Sequence, residues 1–156
     1  MDLELILLIP LDQIAKLSLT EIMACWGGQV FSRTPREFRY GDSLHFLESV
    51  DLRYYQSCLK GRLDLSGWIA LYLKDNLLSE MSYQINTGTF SRQACPLTAL
   101  IHEVYTTLDT FCLIKFLYEE QIHHIYTPND EEEAVLLLLQ SLDWENPTGI
   151  ILIKNA

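Results

Sequence analysis

The sequence predicts a single α/β domain over residues 1–156, built on a mixed β-sheet. Three observations carry that reading. Residues 3–9 form an almost uninterrupted apolar run, the pattern of a strand covered on both faces. Residues 121–126, 130–142 and 150–154 read as strand, helix and strand, and a connection this long joins parallel neighbours in a right-handed βαβ unit. Between these ends the patterns are those of antiparallel hairpins. A chain of 156 residues, 49% apolar and 21% charged, has a compact domain's composition, and at this size it buries roughly 70% of its unfolded surface.

The apolar opening has acids at Asp2 and Glu4, where a signal peptide carries bases, and it stops at Pro10. A buried first strand is therefore expected. Ser18-Leu19-Thr20-Glu21 matches a capping box for a helix that runs to Cys25-Trp26 and stops at Gly27-Gly28. Residues 11–17 fit an earlier turn of that helix. With a strand at 29–33 this completes an N-terminal βαβ-like unit.

Residues 37–40 and 43–50, joined by Gly41-Asp42, read as a hairpin. Residues 51–60 fit either a short helix capped by Asp51 or a strand through Arg53-Tyr54-Tyr55. A second hairpin is expected from 68–73 and 78–86 across Lys74-Asp75-Asn76. Its second arm alternates, with Met81, Tyr83 and Ile85 against Ser82, Gln84 and Asn86. Pro96 suits the first position of a helix. Leu97, Leu100, Ile101, Val104, Leu108, Phe111 and Cys112 continue it at helical spacing to about residue 120. Pro128-Asn129 opens the helix of the C-terminal βαβ unit, and Pro147-Thr148-Gly149 leads into its last strand.

Charge is distributed unevenly. The net charge is −10. Residues 93–156 hold ten acids against Lys115 and Lys154, which leaves −8 there, whereas residues 1–92 are near balance at −2. Such a field repels phosphate backbones and anionic lipid and attracts a basic protein surface. Arg33, Arg36, Arg39, Arg53, Lys60 and Arg62, with Tyr40, Tyr54 and Tyr55 nearby, have the residue types of a single-strand RNA surface. Four interleaved acids leave that stretch at only +2, and the pI is about 4.7, so no nucleic-acid partner is expected. No run approaches the ~20 apolar residues of a membrane span.

Asp130, Glu131, Glu132 and Glu133 form the densest acidic feature. Acids are favoured at a helix start, but four neighbours repel one another, so helix capping accounts for one or two of them. Glu119 and Glu120, placed near the end of the preceding expected helix, oppose its dipole. Trp144 stands between Asp143 and Glu145 before a Pro-containing loop, the setting of an aromatic interface anchor. These residues together suggest an acidic rim around the C-terminal βαβ unit.

Four cysteines without a CxxC pair suggest free thiols in a reducing, cytoplasmic setting. Cys95 precedes Pro96, where helix amides favour a thiolate. His123 and His124 follow on a strand, with Asn129, Asp143 or Asn155 to orient one of them. The order of helix-start Cys, strand His and then an amide or carboxylate resembles papain-like cysteine hydrolases, in residue order and helix position only. His102-Glu103 opens a zinc-protease motif that fails at Thr106, and no other ligand spacing calls for a metal or cofactor. The leading expectation is a non-catalytic acidic inhibitor of a basic partner such as a toxin nuclease. In size and charge the chain is similar to bacterial immunity proteins and antitoxins. A cysteine hydrolase built on Cys95, and an adaptor or subunit of a larger assembly, are the alternatives.

Overall fold

The computed structural model describes residues 3–16, 39–40, 44–47, 52–73, 77–92, 95–117, 122–145 and 149–155. Seven strands form one sheet: β1 (Leu3–Pro10), β2 (Arg39–Tyr40), β3 (Leu44–Leu47), β4 (Trp68–Leu73), β5 (Phe111–Leu117), β6 (Ile122–Tyr126) and β7 (Gly149–Lys154). Their spatial order is β2-β3-β4-β1-β5-β7-β6. Only β6 and β7 pair in parallel, and the other neighbours are antiparallel. The helices are α1 (Leu52–Cys58), α2 (Leu77–Thr87), α3 (Pro96–Thr107) and α4 (Glu131–Gln140), with a 3-10 turn at Leu11–Lys16. The chain is an α/β domain with a mixed sheet, as its sequence predicts. No described helix is long and apolar enough to cross a membrane.

The alternation of β1 organises three layers. Leu5, Leu7 and Ile9 enter one core with Leu78 and Met81 of α2, Leu97, Leu100, Ile101 and Val104 of α3, and Ala134, Val135 and Leu138 of α4. Ile6 and Leu8 point the other way, into a smaller core closed by Leu52 and Tyr55 of α1. Every side chain from Leu5 to Ile9 is at most 1% exposed. A strand between two covered faces needs a continuous apolar run, which explains the unbroken pattern at the start of the chain.

Two expectations about elements are corrected. Residues 78–86 are not the second arm of a hairpin: Leu77–Thr87 is a helix, and Gly88, at φ +77°, ends it. Tyr83 is exposed while Met81 is buried, so the two do not share a face. The helix that begins at Pro96 stops at Thr107, and Phe111–Leu117 is a strand. The first strand pairs antiparallel with β4 and β5; the helix and strand expected at 18–33 for the N-terminal βαβ-like unit lie outside the described residues. The ambiguous segment is settled as helix α1. The first hairpin forms as β2 and β3, and the C-terminal βαβ unit forms as β6-α4-β7.

Candidate functional site

The dense acidic cluster is occupied by the fold itself. Asp130 is the N-cap of α4, its Oδ1 accepting from the Glu133 amide at 2.9 Å, while Glu133 Oε2 accepts from the Asn129 amide at 3.0 Å. Glu131 Oε2 lies 2.9 Å from His102 Nδ1 on α3, and Glu132 Oε1 lies 3.4 Å from Arg92 Nη2. Each of the four carboxylates therefore has an intramolecular partner. The Glu131 carboxylate, which hydrogen-bonds His102 and attracts its charge, raises the imidazole above its ordinary value. His102 thus clamps α3 to α4, and the residue that opened a failed zinc motif serves as an ion-pair partner.

The other end of α4 is different. Trp144 is 50% exposed, yet its position is held by three contacts with α2. Its amide donates to Asn86 Oδ1 at 2.9 Å, its indole Nε1 donates to Ser82 Oγ at 3.1 Å, and its ring lies 6.2 Å from that of Tyr83 at 56°. Tyr83 is itself 59% exposed. Ser82 and Asn86 face the turn because both also donate to the Leu142 carbonyl, at 3.0 and 2.9 Å. Asp143 Oδ1 accepts from the Glu145 amide at 2.9 Å, and this short turn displays Trp144 between the two acids. Among the described residues neither Asp143 nor Glu145 has a cation within salt-bridge distance.

The two bases of the acidic stretch are directed inward. Lys115 on β5 is fully buried, and its Nζ donates to the Ser141 carbonyl at 2.6 Å, at the C-terminal end of α4 where a positive charge meets the helix dipole. Lys154 Nζ donates to the Tyr105 and Leu108 carbonyls at 2.9 and 2.7 Å, and so caps α3. It also lies 5.5 Å from the centre of the Tyr105 ring. The Tyr105 hydroxyl is pushed up to about 12, by burial first and then by Glu133, Asp130 and Glu131.

No family model matches the chain, and neither curated proteins nor solved structures show a match to it. Its chemistry therefore has to be read from its own residues.

Cys95 occupies the N-cap of α3, where the sequence places it. The residue is 6% exposed within the larger core, and its thiol donates to Met81 Sδ at 3.7 Å. His124 is exposed on β6, with its ring stacked 6.1 Å from Tyr126. The His123 side chain lies outside the described residues. Cys58, Cys95 and Cys112 are free thiols, and burial pushes the Cys112 thiol up. Among the described residues no group of three or more His, Cys, Asp or Glu is placed to hold a metal ion.

Glu119 and Glu120 lie outside the described residues. Because α3 ends at Thr107, no dipole of that helix opposes them, and that argument for their role falls away. The basic stretch leaves Arg53, Lys60 and Arg62 exposed on or just after α1, across the sheet from α2, α3 and α4. Sequence reasoning missed Tyr83, Ser82 and Asn86 as parts of the Trp144 site. Their helical spacing at positions 82, 83 and 86 was the available signal, and it was hidden under the strand-like alternation.

Proposed function

We propose that this chain is a small acidic cytoplasmic protein that binds and inhibits a basic protein partner, in the manner of an immunity protein or antitoxin. The observation that carries the reading is Trp144. It is half exposed, fixed by hydrogen bonds at both its backbone and its ring, and flanked by two acids without a cationic partner among the described residues. Aromatic residues held rigidly at a surface lose little entropy on binding and dominate interface energies. The −8 of residues 93–156 supplies long-range attraction. Free thiols at Cys58, Cys95 and Cys112 are consistent with the cytoplasm.

The test uses the tagged chain in its own cells. A basic protein is expected to co-purify and to be released as salt rises from ~0.1 M to ~1 M, where the screening length falls from about 10 Å to about 3 Å. The double variant Asp143→Lys, Glu145→Lys is expected to slow association with that purified partner about tenfold or more. An unchanged on-rate sinks the reading. The cysteine-hydrolase alternative has the helix-start position of Cys95 in its favour and its burial against it. It requires Cys95 to react with iodoacetamide faster than Cys58, the more exposed thiol.

A further inference from the structure

We propose that Tyr83 and Trp144 form a seat for one arginine side chain of the partner, an inference that rests on the protein-binding reading and specifies its chemistry. The argument begins with what the two aromatic residues still have to offer. The indole N–H of Trp144 is already donated to Ser82 Oγ, and the Trp144 amide to Asn86 Oδ1. Neither donor is left to receive an anion or a carbonyl from outside. The exposed ring surfaces remain, with 59% of Tyr83 and 50% of Trp144 open to solvent. Aromatic faces carry negative electrostatic potential, and they attract cations.

The surroundings point the same way. Asp143 and Glu145, the residues immediately before and after the indole, are exposed and have no cationic partner among the described residues. The two lysines of residues 93–156, Lys115 and Lys154, donate to the carbonyls of Ser141, Tyr105 and Leu108. The two rings pack against each other at 56° with their centres 6.2 Å apart, so a planar cation would meet their outward surfaces, with the carboxylates of the neighbouring residues Asp143 and Glu145 in the same turn. Guanidinium fits that description better than ammonium. It is flat, weakly hydrated, stacks on aromatic faces and pairs with a carboxylate through two parallel N–H donors.

The experiment titrates the full isotope-labelled chain with five-residue peptides, blocked at both ends, carrying one central residue among glycines. The central residue is arginine, lysine or citrulline, the last an uncharged near-isostere of arginine. The readout is the indole N–H resonance of Trp144, assigned as the signal lost in Trp144→Phe. Saturable shifts are expected for the arginine peptide at low salt, with affinity about fivefold or more above the citrulline peptide. The lysine peptide is expected to bind more weakly than the arginine peptide. Tyr83→Ala removes an exposed side chain and is expected to lower arginine affinity several-fold, while Glu132→Gln, at the far end of α4, leaves it unchanged. Equal binding of the arginine and citrulline peptides, or full affinity in Tyr83→Ala, overturns the seat. If a basic partner binds and depends on Asp143 and Glu145 while the peptides show no preference for arginine, the seat fails and the protein-binding reading stands. If the arginine peptide is preferred and no basic protein co-purifies, the seat stands and the inhibitor reading fails.

Discussion

The two ends of α4 carry the same kind of side chain and put it to opposite uses. At residues 130–133 four carboxylates are consumed by the fold: two cap the helix, one holds His102 and one holds Arg92. At residues 143–145 two carboxylates frame an exposed tryptophan, and no cation among the described residues answers them. In the sequence the first group is denser and draws more notice. In the structure the sparser group is the one without a cationic partner among the described residues. Charge density along a chain reports what helix starts and helix pairs need, whereas availability depends on what has folded alongside.

The largest expected effect on that contrast is at the C-terminal end of α4, just before Trp144 in the chain. Lys115→Ala removes the buried ammonium from the Ser141 carbonyl and leaves a cavity beside the last turn of α4. It is expected to cost about 3 kcal/mol or more in urea unfolding. A loss under about 1 kcal/mol would show that the end of α4 is held by something other than this lysine. A smaller effect compares the two acidic groups directly. Asp130→Ala is expected to cost about 1 kcal/mol of stability through the lost cap, whereas Glu145→Ala stays within about 0.5 kcal/mol. Equal costs would erase the distinction between acids used by the fold and acids left to a partner.

The smallest effect is in the pH dependence. Glu131 raises His102 above its ordinary 6.5, so the folded state holds that proton more tightly than the unfolded chain does. The resulting stability is fully present below the ordinary value and fades as pH rises through the raised one. The melting temperature of the wild type relative to His102→Asn is therefore expected to be higher at about pH 5.5 than at about pH 8.5. Because the pair is exposed, the change is small in size but definite in sign. A difference that grows toward alkaline pH contradicts the clamp.

Much of the architecture was legible in the sequence, and the failures have local causes. The first strand, the β2–β3 hairpin and the βαβ unit were read correctly, because each pairs an apolar pattern with a plain punctuation mark such as Pro10 or Pro128. Helix α2 was misread because its buried face includes Ser82, a polar residue that interrupts the apolar stripe. That serine is buried for the sake of Leu142 and Trp144, about sixty positions away, so the site itself disguised the helix that builds it. The end of α3 was equally hidden. No glycine or proline stands between Thr107 and β5, and the end is capped from a distance by Lys154 of β7, which reaches the Tyr105 and Leu108 carbonyls. Within the candidate site, Trp144 and its flanking acids stand out in the sequence, whereas the helical spacing that includes Tyr83 is hidden under a strand-like alternation.

The central position of β1 has a bearing on how the chain is made. Its partners are β4, beginning at Trp68, and β5, beginning at Phe111. A ribosome therefore delivers this strand before either neighbour and must synthesise about a hundred further residues before both exist. Contacts between residues so distant in sequence make folding slow and leave the intermediate prone to aggregation. Until β5 emerges, a segment that later lies almost wholly out of water has one edge without its strand.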